Sequence, residues 1–368
     1  MPATVYVNHA YLAIVTNYSD ASRLVLVGCG AITELYYAPA LLEALKYRKI
    51  EIVAFYDPSS ARLAALHRFF PHAKALTAFE ALIDLQPHLA VVASPPKFHA
   101  SQAIALLGSG VHVLCEKPMA SSVAEAETMI SAAHKANRVL AIGLFRRFFP
   151  ALQAVKALVN GGALGATTSF RFTEGGVFNW PAASASFFQK QHSQGGVLHD
   201  LGVHILDLIC WWFGEPASMA YEDDAMGNLE ANSHLRLGFS NGLTGEVRMS
   251  RDTPCSNQYQ IDFERGRVVW RVGEGNRLEM CFNDVPFTLA GELRENSSTA
   301  DSYHQAFVKQ ILNFVSAARG TESLVVPGEE AIMSMRLIEQ CYGSRHLISM
   351  PWFTEPETIR ARELARPF

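Results

Sequence analysis

Between Arg23 and Leu144 five short apolar runs recur: LVLVG (24–28), EIVAFY (51–56), LAVVAS (89–94), VHVLCE (111–116) and VLAIGL (139–144). Turn residues bound them, and longer helical stretches such as SSARLAALHRFF and SQAIALLGSG separate them. Strands that are apolar throughout must be buried on both faces, and helical connections between them require a parallel sheet covered on both sides. The first part of the chain therefore reads as a doubly wound α/β unit. Beyond residue 145 the pattern changes. A helix over Ala151–Asn160 leads into TTSFRFTE, SHLRLGFS, TGEVRMS, QYQIDFE and RVVWRV, which partly alternate and are joined by short turns such as SNG and ERG. That pattern suits a mainly antiparallel sheet. Two helical stretches, Tyr303–Arg319 and Glu329–Ser344, close the chain. The expected organisation is an N-terminal arm over 1–23, a dinucleotide-binding domain over 24–145, and an α+β domain over 146–368.

A chain of 368 residues with 49% hydrophobic and 18% charged residues has material for two cores. A net charge of −4 gives no electrostatic reason to expect nucleic acid or an anionic membrane as partner. No apolar run reaches the roughly 18 residues of a membrane-spanning helix. The first 22 residues carry no Lys or Arg, so the basic start of a secretory signal is missing and the cytoplasm is the expected compartment. The six cysteines are scattered without a C-x-x-C pair, which argues against a disulfide framework or a thiolate metal site. Residues 1–23, strand-like at Val5–Val7 and Leu12–Thr16, read either as a loose arm or mis-assigned start, or as an arm that packs on a neighbouring subunit.

Gly28-Cys29-Gly30-Ala31-Ile32-Thr33 follows the first strand directly and opens a helix. The first glycine permits the tight turn, and the second lets backbone N–H groups approach a pyrophosphate at the helix N-terminus. Thr33 stands where this fingerprint prefers Gly or Ala. Asp57 ends the second apolar run, 24 residues after Thr33, where a carboxylate would accept hydrogen bonds from adenosine ribose hydroxyls. Such bonds are worth ~1.5–3 kcal/mol each, whereas a 2′-phosphate there would meet like charge. Arg62 in the following helix partly offsets that repulsion, so NAD is favoured over NADP. Ala93-Ser94-Pro95-Pro96 leaves the 89–94 strand at the edge where α/β sheets bind ligands, and its prolines would wall the nicotinamide ribose.

Glu116-Lys117-Pro118 ends the 111–116 strand at the same edge. Pro118 holds Lys117 extended, so its ammonium would project into the crevice. A cation there would stabilise an alkoxide developing on a carbinol. In GGVLHDLGVHILDLICWW (195–212), helical periodicity puts Asp200, His204 and Asp207 within roughly 60° of one another on an otherwise apolar surface. Buried polar groups must pair or meet a ligand. His204 has the ordinary pKa for proton exchange near neutrality, and Asp200 or Asp207 would orient it. A purely structural Asp–His pair, a metal site of His204 with two carboxylates, and a Ser-His-Asp hydrolase remain as alternatives. The last two lack further histidine ligands and a G-x-S-x-G elbow respectively, so no metal is expected.

Taken together, VGCGAIT, ASPPKFHASQAIALLGSGVHVLCEKPMA, the RRFFP turn, GGVLHDLGVHILD and LIEQCYGSR resemble the glucose–fructose oxidoreductase/inositol dehydrogenase/MocA (Gfo/Idh/MocA) family from about Arg23 to Arg345. The resemblance implies a Rossmann domain followed by an α+β domain whose open sheet joins subunits into a dimer or tetramer. It also implies an NAD(P)-dependent dehydrogenase or reductase acting on a sugar or cyclitol. The cofactor would lie on Gly28, Gly30, Ala31, Ile32, Asp57, Ser94, Pro95, His99, Glu116 and Lys117. Lys117 would polarise the substrate hydroxyl, His204 would act as acid/base, and Asp200 would bind substrate or orient His204. The loop Gly175–Gly196 should border the pocket, with Trp180 or Phe178 against a sugar face and Arg147 or Lys190 against an anionic group, unless these residues simply pack the loop. Thr33, His199 and residues 1–23 depart from the family pattern without removing a catalytic group; the arm would fit one that covers the cofactor. A nucleotide-sugar dehydrogenase and a non-catalytic NAD-sensing protein are the competing functions. The second would be expected to have lost the lysine or the Asp–His pair, and both are intact.

Overall fold

The computed structural model describes residues 21–47, 50–179, 193, 195–284, 288–293, 303–349 and 353–364. Most of the N-terminal arm, Trp180 and Lys190 fall outside the described residues.

Six parallel strands form the first sheet: β1 (Ser22–Val27), β2 (Ile50–Tyr56), β3 (Lys74–Leu76), β4 (Leu89–Val92), β5 (His112–Cys115) and β6 (Leu140–Ile142). Their order is β3-β2-β1-β4-β5-β6. β1 is nearly inaccessible from Leu24 to Val27, as a strand covered on both faces must be. Helices α1 (Ala38–Ala44), α2 (Ser60–His67), α3 (Glu80–Ile83), α4 (His99–Gly108) and α5 (Val123–Ala136) connect the strands. Local sequence explains the limits of α5. The Ser122 side chain accepts from the Glu125 N–H at the start, and Asn137 takes a left-handed conformation at the end. The strand order reverses between β1 and β4, which opens a crevice at the carboxyl ends of the strands.

After α6 (Pro150–Gly161) the chain builds a nine-stranded sheet. Its strands are β7 (Thr167–Gly175), β8 (Ser218–Asp223), β9 (Asn232–Gly238), β10 (Thr244–Ser250), β11 (Gln258–Phe263), β12 (Gly266–Arg271), β13 (Arg277–Phe282), β14 (Thr288–Glu292) and β15 (His346–Leu347). The order is β14-β13-β12-β11-β7-β10-β9-β8-β15, antiparallel except for the β7–β10 and β8–β15 pairs. Alternation sets its two faces. Phe170 and Phe172 of β7 point inward, Phe172 stacks on Tyr259 at 4.4 Å, and both cover α7 (Val203–Phe213). The intervening residues face outward and pair across strands, as Arg171 does with Glu246 and Arg267 with Asp262.

Of the last helices, α8 (Tyr303–Ala318), α9 (Gly328–Gly343) and α10 (Glu355–Leu364), the first two return to the first domain, while α10 lies against β15 of the second sheet. α8 packs on α1, with Phe307 stacked on Tyr36 at 5.1 Å, and α9 lies against both α5 and α7. The Ile142 N–H donates to the Val326 carbonyl, tying this return segment to the edge of the first sheet. Among the described residues no helix is long and apolar enough to cross a membrane.

Candidate active site

The glycine turn leaves β1 at the switch point. Gly28 has φ +91°, and a Cβ there would sit 2.6 Å from the Ser94 nitrogen, so only glycine fits. A Cβ at Gly30 would meet nothing within 4 Å, and this open space adjoins the helix N-terminus where a pyrophosphate would lie. Asp57 is buried and accepts hydrogen bonds from the Cys29 and Ser59 N–H groups, both at 2.9 Å, while Arg62 Nη1 lies 3.7 Å from its carboxylate. Two of a carboxylate's roughly four acceptor positions are therefore used, leaving room for a ribose hydroxyl. These residues fit a dinucleotide.

Thr33 replaces the third glycine with a different arrangement. It is buried, its hydroxyl donates to the Gly28 carbonyl at 2.7 Å, and the helix widens into a π-turn over Thr33–Tyr37 before α1. Tyr37 at the end of that turn donates to Glu116 Oε1 at 2.7 Å and accepts from Gln310. Glu116 also accepts from the Lys117 N–H at 3.0 Å, and burial raises its carboxyl's pKa. His99 is buried, with its ring nitrogens 2.9 Å from the Pro118 carbonyl and 2.7 Å from that of Ser94. Glu116 and His99 were expected to touch cofactor. In the structure Glu116 bonds the Tyr37 hydroxyl and the Lys117 N–H, and His99 bonds the Pro118 and Ser94 carbonyls, so both brace the turns that carry Lys117 and Ser94. The Ser94 hydroxyl likewise donates to Gln102 at 2.6 Å, and Pro95 holds an extended backbone at the rim.

Lys117 projects from the end of β5 and donates through Nζ to the Asp200 carbonyl at 2.9 Å and to Asp200 Oδ1 at 3.0 Å. On the other side of the same carboxylate, Arg251 Nη2 is 3.4 Å from Oδ2. Burial would raise the Asp200 pKa, but Lys117 and then Arg251 outweigh it, so the carboxyl lies below its ordinary value and is ionised. His204, one turn on, is buried edge-on against Phe145 with centroids 5.2 Å apart, and its Nδ1 has no hydrogen-bond partner among the described residues. Burial, then Lys117 and Arg146, hold its pKa well below the ordinary range, so the imidazole is neutral. Burial also brings His199 down to about 4, helped by Lys117.

The expected orientation of His204 by Asp200 or Asp207 is not what the structure shows. Leu198–Gly202 is a π-turn, so the 3.6-residue period that aligned these side chains does not hold there. Asp207 belongs instead to Arg147, which bonds it through Nε at 3.0 Å and Nη2 at 2.7 Å. Arg147 Nη1 donates to Glu330 and to the Val325 carbonyl. With its guanidinium 1% exposed and engaged on both edges, Arg147 is a structural tie and not a contact for an anionic substrate. Its neighbour Arg146 forms a second buried pair with Glu174, at 2.6 and 2.8 Å, together with Tyr259.

Two residues that sequence reasoning missed shape the site. Glu230 Oε1 accepts from the Gly196 N–H at 2.9 Å, the Leu198 N–H at 3.0 Å and the Tyr342 hydroxyl at 2.7 Å, anchoring the start of the helix that carries Asp200 and His204. Arg251 follows β10, whose parallel register with β7 pairs Ser250 with Gly175. Its guanidinium lies over the Phe178 ring at 5.6 Å, so Phe178 faces Arg251. Beside Asp200, a cavity of about 370 Å³ is lined by Glu174, Gly175, Phe178, Asn179, Ser250 and Arg251, among others. A cation beside a water-accessible pocket, with a neutral imidazole nearby, can hold a hydroxyl oxygen and move its proton.

Residues 22–144 match the family described as oxidoreductases with an NAD-binding Rossmann fold, and residues 152–269 match the GFO/IDH/MocA C-terminal domain. The chain is 28% identical over 351 residues to D-glucoside 3-dehydrogenase of Escherichia coli (strain K12), covering 89% of this chain and 96% of that protein. It is 26% identical over 345 residues to scyllo-inositol 2-dehydrogenase (NADP(+)) of Bacillus subtilis (strain 168), covering 88% and 94%. Among solved structures, levoglucosan dehydrogenase in complex with NADH and levoglucosan superimposes with a TM-score of 0.79 at 20% identity, covering 88% of this chain and 97% of that one.

Proposed function

Since the chain belongs to the GFO/IDH/MocA family of oxidoreductases, we propose that it interconverts a secondary hydroxyl and a ketone on a sugar or cyclitol, using Lys117, Asp200 and His204. The carrying observation is the Lys117 ammonium, held by two hydrogen bonds to Asp200 at the mouth of the crevice. Relatives that act on glucosides and inositols support the substrate class. NAD(P), when bound, supplies the acceptor or donor of the hydride.

Lys117 holds the reacting oxygen and stabilises the negative charge that gathers there as the proton leaves. His204 accepts that proton. Its depressed pKa keeps it in the base form at neutral pH, and the same depression makes its protonated form a strong acid for ketone reduction. Asp200 fixes the ammonium and leaves it one N–H for substrate. Asp57 selects NAD over NADP by accepting ribose hydroxyls and repelling a 2′-phosphate, against which Arg62 at 3.7 Å gives only partial relief. A homo-oligomer joined through the outer face of the second sheet is the assembly we expect, which light scattering tests.

The function is tested by following nicotinamide absorbance on mixing the protein with NAD or NADP and a panel of polyols, glycosides and cyclitols. Reduction that depends on one of these substrates is expected. Cofactor binding with no reduction across the panel would favour an NAD-sensing protein.

A further inference from the structure

The closing motif LIEQCYGSR has no part in the chemistry above, yet it reaches the entry of the catalytic helix. Arg345, just past α9, donates through Nε to Asp223 Oδ2 at 2.7 Å, and its Nη2 lies 3.4 Å from Glu230 Oε2. Tyr342, whose ring carries that guanidinium at 4.9 Å, donates its hydroxyl to Glu230 Oε1. The same Oε1 accepts from the Gly196 and Leu198 N–H groups, the second of them two residues ahead of Asp200. Contact is close here: a Cβ on Gly196 would overlap the Glu230 carbonyl, and one on Gly195 the Tyr342 hydroxyl. Two buried carboxylates thus share one cation, and Asp223 holds it nearer. Such charge is unfavourable in a core unless each member stays paired. Burial, with Glu230 adding to it, raises the Asp223 pKa to about 6 against the pull of Arg345.

We propose that Arg345 is a positioning residue for the catalytic helix, an inference that rests on the oxidoreductase reading above. Shared between Asp223 and Glu230, it fixes where Glu230 holds the helix entry, and so where Asp200 and His204 stand. While Asp223 is ionised it keeps Arg345 back, and Glu230 leaves its Oε1 on the helix N–H groups. Once Asp223 takes a proton, the guanidinium closes on Glu230 and draws that carboxylate off the helix. The groups facing Asp223 among the described residues are Arg345, Glu230, Tyr221 and Cys341, with Tyr342 beyond them. Burial lifts Cys341 to about 12 and both tyrosines well above their ordinary value, so neither thiol nor phenol titrates near neutrality. Asp224 turns instead to the Ala231 and Asn232 N–H groups, and His346 is exposed, in register with Glu222.

Two readouts test this in the wild type, Asp223→Asn, Arg345→Lys and Arg345→Met. One is kcat at saturating nicotinamide and substrate across the acid range. The other is amide hydrogen exchange of peptides spanning 196–204, read by mass spectrometry against peptides of the first sheet. Wild-type kcat is expected to fall about tenfold on acidification, within the ~10²-fold that an ångström of misplacement costs. Its midpoint should lie near pH 6. Asp223→Asn keeps the shape of the side chain without its charge. At neutral pH it should run at the lower rate, lack the step near pH 6 and exchange 196–204 faster, with nicotinamide affinity unchanged. Arg345→Lys should regain part of the rate that Arg345→Met loses, and Asp223→Asn decides the matter if Arg345→Met does not fold. Wild-type rate and exchange in Asp223→Asn, or a midpoint near pH 6 that persists in it, overturns the role of Arg345. Faster exchange in Asp223→Asn with no turnover of any sugar or cyclitol by the wild type overturns the oxidoreductase reading and leaves Arg345 as the tie that sets this helix entry.

Discussion

Replacing Lys117 with methionine keeps the length of the side chain and removes its charge. In the structure Nζ makes two hydrogen bonds to Asp200, at 2.9 and 3.0 Å, so the ammonium is positioned before substrate arrives. A unit charge about 3 Å from a developing alkoxide is worth roughly 5 kcal/mol at the effective dielectric of a partly exposed site. Part of that is recovered by water entering the space left behind, because the lysine side chain is 19% exposed. A net loss of about 3–4 kcal/mol corresponds to a 10²- to 10³-fold drop in kcat. Folding should survive, since Asp200 keeps Arg251 and is one-third exposed. Nicotinamide affinity should survive too, because the pyrophosphate cradle at Gly28–Gly30 is separate from this side chain. Initial rates of NADH formation at saturating NAD and sugar, with NADH fluorescence titration alongside, measure both quantities. A loss of less than tenfold in kcat, or an equal loss in nicotinamide affinity, would refute the electrostatic role.

Asp57→Ala should weaken NAD much more than NADP and reverse any preference by tenfold or more, because it removes the ribose acceptor and frees Arg62 for a phosphate; paired affinity titrations decide it. Glu230→Ala strands two buried N–H groups and the Tyr342 hydroxyl, so urea unfolding should show a loss of about 3–5 kcal/mol, with Glu230→Gln losing far less. His112 accepts from the Val139 N–H, and burial lowers its pKa to about 4 from an ordinary value near 6.5. The unfolded chain binds that proton first, so this contribution is complete above pH 6.5 and fades as pH falls toward 4, by about 3 kcal/mol in all. His112→Asn should flatten the decline between pH 7 and 4.5, and an identical slope in both proteins would count against it.

Continuous apolar runs made five strands of the first sheet readable. β3 escaped because it is three residues at a sheet edge with no such run. β13 and β14 escaped for a similar reason, since β14 is exposed at every position. Chemistry tied to a strand end was also readable. Lys117 and the glycine turn sit where the parallel sheet opens, so their local sequence already implies a crevice. Residues whose role depends on a distant partner were not. Helical spacing grouped Asp207 with His204, but Arg147, 60 positions away, takes it. The departure at Thr33 was visible, while its remedy, a hydroxyl on the Gly28 carbonyl and a widened helical turn, was not. Arg251 carries no motif at all. Only the register of β10 on β7 brings it to Phe178 and Asp200, and register across 75 residues has no signature in one sequence.

The most direct measurement of the central claim is isotopic. A glycoside or cyclitol carrying deuterium on the carbon that bears the reacting hydroxyl is incubated with the protein and NAD, and the reduced nicotinamide is isolated and weighed by mass spectrometry. Direct hydride transfer predicts that the reduced cofactor gains the substrate's deuterium, that none is lost to water, and that His204→Asn slows label transfer by about 10²-fold or more. Reduced cofactor that carries solvent hydrogen, or label transfer that proceeds undiminished without His204, would contradict the account.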